Sequence, residues 1–97
     1  MSLKKILAQM VADSIADDVP HKRILNGGLK VGVKVKGGEL YLQLSRWRVA
    51  PSDAEWKTVV NALGGPAESQ PRSRFAEKGE YFIAGRWVMP TPLVEAV

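Results

Sequence analysis

The chain reads as a small α+β protein, one domain over residues 1–89 with an extended tail at 90–97. Three observations carry this. Apolar residues recur at helical spacing near the start, a glycine pair sits inside strict strand alternation in the middle, and a second helix signal is followed by aromatic strand-like runs. The order is a helix, a hairpin or three-strand meander, a second helix, then two or three short antiparallel strands, with helices on one face of the sheet. At 97 residues there is material for one hydrophobic core and not two. The hydrophobic fraction of 45% and charged fraction of 25% are those of an ordinary folded protein.

Leu3, Ile6, Leu7, Met10, Val11 and Ile15 lie along one helical face, with Lys4, Lys5, Gln9 and Asp13 on the other, so a helix is expected over 2–16. Its lysines stand at the start and its aspartates at the end, against the macrodipole, so packing must supply its stability. Pro20 ends it. Gln9 and Asp13 interrupt the apolar stretch before a signal sequence can form, and no run reaches the roughly 20 apolar residues a membrane-crossing helix needs.

Gly37-Gly38 centres the next unit. As the two middle residues of a tight turn they pair Lys36 with Glu39, Val35 with Leu40, Val33 with Leu42 and Val31 with Leu44. One face then collects the valines and leucines. The other collects Lys30, Lys34, Lys36, Tyr41, Gln43, Ser45 and Trp47, and a slip of one residue would set lysines opposite leucines. Residues 22–25 fit either a third strand before the Asn26-Gly27 turn or a short helix capped by it. Ser52 and Glu55 form a capping box for a helix carrying Trp56, Val59, Val60 and Leu63, stopped at Gly64-Gly65-Pro66. Residues 67–73 are polar and read as a loop. Beyond them, turns are expected at Lys78-Gly79 and Ala84-Gly85.

With 22–25 as a strand, the order α-β-β-β-α over the first two thirds is similar to that of a double-stranded RNA-binding domain. That family opens its second helix with basic residues, whereas Ser52-Asp53-Ala54-Glu55 opens it here. The similarity is one of order alone, and no family is assigned.

Chemistry-bearing constellations are few. The absence of cysteine excludes disulfides, cysteine-held zinc, iron–sulfur clusters and a thiol nucleophile, and fits a cytoplasmic location. His21 is the single histidine and is expected in an exposed turn. It stands four residues from Asp17, but Pro20 intervenes and zinc wants three or four converging ligands. No strained G-x-S-x-G turn supports a serine nucleophile, Glu77 and Glu80 flank a turn, and "GGLKVGVK" lacks the Gly-Lys-Ser/Thr end of a phosphate loop. Binding is therefore expected and not catalysis, with no cofactor and no metal.

Charge is distributed unevenly. Residues 19–48 hold Lys22, Arg23, Lys30, Lys34, Lys36, Arg46 and Arg48 against Glu39 alone, a segment charge of +6 in a chain whose net charge is +4. Lysines can hold phosphates and aromatic rings can stack on unpaired bases, so the outer face of the 29–48 hairpin is the candidate nucleic-acid-binding surface, with Lys30, Lys34, Lys36, Tyr41 and Trp47 as its residues. Arg46 and Arg48 should point away from Trp47 in an ideal strand. The alternative is a protein-interaction or accessory module, a homodimer through aromatic and apolar surface, since Trp, Tyr and Arg dominate interface hot spots. A wet sheet face also carries lysines for solubility alone.

Overall fold

A computed structural model describes residues 2–89. Helix α1 spans Leu3–Asp17, β1 His21–Ile24, β2 Lys30–Lys36, β3 Glu39–Trp47, α2 Asp53–Ala62, β4 Ser73–Glu77 and β5 Glu80–Val88. The five strands form one antiparallel sheet in the order β1-β2-β3-β5-β4. The expected α+β architecture is present. The tail at 90–97 lies outside the described residues.

The hairpin of β2 and β3 has the register that the glycine pair predicts, with Val31 opposite Leu44, Val33 opposite Leu42, Val35 opposite Leu40 and Lys36 opposite Glu39. Gly37 and Gly38 both take positive φ, as a two-residue turn of this kind requires. Residues 21–24 form a strand and Asn26–Gly28 a single 3₁₀ turn. The helix alternative for this stretch is thereby set aside. Leu7, Met10 and Val11 of α1 and Trp56, Val59 and Val60 of α2 close over Val31, Val33, Leu40, Leu42, Leu44 and Ile83 to make the core.

The expected turn at Ala84-Gly85 is absent, because β5 runs unbroken through it. Gly85 serves close approach instead. A Cβ there would lie 2.9 Å from the Trp56 ring, and one on Gly65 would lie 2.8 Å from Trp87. Both tryptophans are buried, at 1% and 7% exposure. Glycine inside a strand can mark a bend or a tight neighbour, and here the neighbour decides.

Helix ends are tied to the sheet. Ser52 and Glu55 make both hydrogen bonds of the capping box, at 3.1 Å and 2.9 Å. Both oxygens of Glu55 also accept from the Arg46 guanidinium, one at 2.9 Å. Arg46 thus projects to the helix side of β3, joining it to the start of α2, and its Nε donates to the Gly27 carbonyl at 3.3 Å. At the other helix, Asp18 adopts a left-handed φ of 58° and caps α1. Lys34 Nζ donates to its carbonyl at 2.6 Å and to its carboxylate at 2.7 Å. The cation that α1 lacks in its own last turn is therefore supplied by β2. His21 opens β1 with Nε2 only 2.7 Å from Asp17, so it is a partly buried strand residue and not a free turn. Helix α1 does stop before Pro20, yet the chain brings the two side chains together again.

Ser14, fully buried, replaces a missing strand. Beyond His21 no β1 residue remains to pair with β2, and Ser14 Oγ accepts from the Val35 amide at 3.1 Å while donating to the Val19 carbonyl at 2.9 Å. Ser14→Ala leaves two backbone groups without those partners and should lower unfolding free energy by about 1–3 kcal/mol in urea titrations.

The Arg46 hydrogen bonds hold the Glu55 carboxyl well below its ordinary 4.5, at about 2, against the opposing effect of burial. A depressed carboxyl contributes stability that is complete above about pH 4.5 and disappears as pH falls toward 2. Glu55→Gln keeps a capping-box side chain and removes the charge. Its destabilisation relative to the parent should be full at neutral pH and should shrink steadily between pH 4.5 and 2 in thermal melts.

Candidate functional site

Because the helices and the valine–leucine faces share one side of the sheet, the alternate residues of every strand look out on the other. The last two strands extend the sheet edgewise and do not fold over this face. Cross-strand register orders its side chains into rows. One row reads Lys34, Tyr41, Arg86. The next reads Lys22, Gly32, Gln43, Ala84, Ser73, and the one after it Ile24, Lys30, Ser45, Phe82, Phe75.

The middle row is made of short side chains apart from Lys22 and Gln43, so the face sinks there into a groove of about 550 Å³. This volume lies in the range of roughly 300–1,000 Å³ typical of small-molecule sites. Lys22, Lys30, Lys34, Arg72 and Arg86 stand around it, with Tyr41 and Gln43 among the lining residues.

These cations differ in how far their charge is already answered. Lys30 pairs with Glu80 at 3.3 Å across β3, and the small Ser45 lies buried between Lys30 and Phe82 in the register. Lys34 is engaged by Asp18, whose carboxyl its hydrogen bond holds below the ordinary carboxylate range. Arg86 lies over the Tyr41 ring, 5.7 Å from its centroid, with Nε 3.7 Å from Glu39. For Lys22 and Arg72, no carboxylate among the described residues comes within 4.0 Å. Arg72 is held by its backbone, whose amide donates to the Ala84 carbonyl at 2.7 Å and carries the ladder one step beyond β4.

Of the residues singled out from the sequence, Lys30, Lys34 and Tyr41 meet at the groove. Lys36 stands beyond it, exposed at the end of the hairpin opposite Glu39. Trp47 is at the other end of the sheet, outside the lining, packed so closely on Gly79 that a Cβ on that glycine would lie 3.0 Å from its ring. Strand β3 ends at Trp47, and Arg48 turns into the left-handed region with its guanidinium 5.6 Å from the Trp47 ring centroid. Arg46 therefore diverges from Trp47 as expected, while Arg48 joins it. Trp47 and Arg48 cover the Lys78-Gly79 turn.

Lys22, Arg72 and Arg86 are the groove cations that sequence reasoning did not select. Arg86 was accessible in principle, since Phe82, Ala84 and Arg86 alternate with Ile83, Gly85 and Trp87, but its place beside Tyr41 requires knowing that β5 pairs with β3. Arg72 belongs to an irregular segment with no periodic signal.

Among the described residues no group of three or more His, Cys, Asp or Glu side chains could hold a metal, and no helix is long and apolar enough to cross a membrane. Comparison with protein-family models, curated proteins and solved structures finds no match.

The three tryptophans differ sharply in exposure, with Trp47 at 57%. Acrylamide should quench one accessible component of the intrinsic fluorescence, and Trp47→Phe should abolish that component while leaving the shielded emission of Trp56 and Trp87.

Proposed function

We propose that the protein is a small nucleic-acid-binding module whose contact surface is the open face of the sheet, centred on the groove and not on the 29–48 hairpin alone. The observation that carries this reading is the ring of five cations, from three strands and the loop before β4, around one concavity. Lys22 and Arg72 are the primary phosphate ligands, because their charge has no carboxylate partner among the described residues to displace. Arg86 is next, held by Tyr41 and a long contact to Glu39. Lys30 and Lys34 contribute field more than direct contact, since each already has an acid. Phosphates on such a surface release counterions, which makes affinity fall steeply with salt.

This assignment changes which variants are informative. Lys34→Glu would weaken phosphate binding, but it would also place a second carboxylate beside Asp18 at the end of α1. Lys22 and Arg72 are exposed and can be altered with little effect on the fold.

A second reading has its own support. All five residues of the edge strand β4 are exposed, and Phe75 stacks on Phe82 at 4.7 Å while remaining 47% exposed. An edge with an aromatic at its middle suits strand addition by a protein partner or a second copy. That function would show weak salt dependence and an interface of at least about 1,000 Å².

Fluorescence anisotropy with labelled oligonucleotides at two salt concentrations, alongside light scattering, separates the two readings. The expected result is binding by a monomer that weakens by orders of magnitude as salt rises. Lys22→Gln and Arg72→Gln should each lower affinity for all sequences alike and reduce the slope of log affinity against log salt by about 0.7–0.9. A salt-insensitive dimer that binds no oligonucleotide overturns the proposal.

A further inference from the structure

Gly32 lies in the interior of β2, where glycine weakens a strand through its entropy and its missing side chain. Nothing in the fold demands it. Its φ is outside the left-handed region, and a Cβ there would meet only ordinary contacts, Lys22 Cγ at 3.5 Å and two carbonyl oxygens at 3.9 Å. Gly85 and Gly65, by contrast, have tryptophans against them. A glycine that neither backbone geometry nor packing requires, placed at the bottom of a groove, keeps that groove open.

The rest of its row agrees. Ala84 and Ser73 are also short, so the depression crosses from β2 to β4, with Gln43 offering an amide donor and acceptor at its middle. The flanking rows carry larger side chains, Tyr41 under Arg86 on one side and Lys30 and Phe82, with Ser45 between them, on the other. They lie four residues apart along each strand, roughly 13 Å between their backbone positions, before side chains narrow the space. Such a trough admits a flat ring system but offers a duplex only its rim. Lys22 stands at one end and Arg72 and Arg86 at the other, so phosphates on both sides of an inserted group would meet a cation.

We infer that the groove receives an unpaired base of a single-stranded nucleic acid, seated on the low floor that Gly32 and Ala84 form on either side of Gln43 and hydrogen-bonded through its edge to the Gln43 amide. This rests on the nucleic-acid reading above and adds to it the strandedness of the ligand and the place where a base is held. Base selectivity resides in Gln43, whereas the rim cations bind any sequence.

Filling the trough tests it. Gly32→Val adds a side chain favoured in strands, and Ala84→Val does the same from a different strand, so either carries the test if the other melts early. Each is compared with the parent by thermal melting and by anisotropy with a short labelled single strand and a hairpin duplex of the same base composition. The expected result is a melting temperature at or near that of the parent, single-strand affinity at least about tenfold weaker, and an unchanged salt slope, since a stacked or inserted base is worth that much while phosphate contacts remain. Duplex binding should be weaker in the parent and indifferent to the substitutions. Filled variants that fold and bind single strands as tightly as the parent overturn the inference, as does a parent that prefers duplex, and in both cases general nucleic-acid binding survives. A parent that binds neither form at low salt removes the underlying function as well.

Discussion

The alternation of valine with lysine along β2, set against leucines on β3, decides on which side of the sheet everything else is placed. Val31, Val33 and Val35 face Leu44, Leu42 and Leu40, and both helices must come to that side to cover them. The opposite side is then left with side chains that need no cover. Its polarity follows from the same alternation that builds the core, and a shift of one residue would damage both at once.

The two helices are bound to the sheet by charge as well as by packing, and they are bound from opposite faces. Arg46 reaches from the inner side of β3 to Glu55 at the start of α2, and Lys34 reaches from the outer side of β2 to Asp18 at the end of α1. Each ion pair joins a helix terminus to a strand. At the end of α1 the helix dipole adds to the attraction for Lys34, whereas at the start of α2 it favours the Glu55 carboxylate and opposes the Arg46 cation, so the direct hydrogen bonds hold that junction. Helix α1, with lysines first and aspartates last, is poorly matched to its own dipole and relies on this outside cation. Lys34 consequently serves the fold and borders the groove. The surface charge of this protein is not a simple count of its lysines.

Much of the architecture was legible in the sequence because its signals are local. The Gly37-Gly38 turn, the strict alternation around it and the Ser52–Glu55 capping box each specify structure within a few residues, and each is observed. What was not legible depends on distant pairing. Gly85 reads as a turn residue until Trp56 is known to lie on it, and Arg86 reads as an ordinary strand cation until β5 is placed between β3 and β4. The candidate site was half visible for the same reason. Lys30, Lys34 and Tyr41 come from the hairpin whose register is local, whereas Arg72 and Arg86 arrive through a long connection. Trp47, conspicuous in the sequence, covers a turn, since β3 ends where its alternation would have had to continue to bring Arg48 to the other side.

The insertion of β5 beside β3 also shapes how the sheet is assembled. Tyr41 and Arg86 meet across this ladder although 45 residues separate them, whereas β2 with β3 and β4 with β5 are hairpins closed by tight turns. Closing the large loop carries an entropic cost that the two hairpins escape. The β3–β5 seam is thus the junction between two locally formed halves, and the groove straddles it, with Gly32 and Gln43 on one half and Ala84 and Arg86 on the other. Anything held across the groove acts as a clamp on that seam and draws the population toward the fully closed sheet.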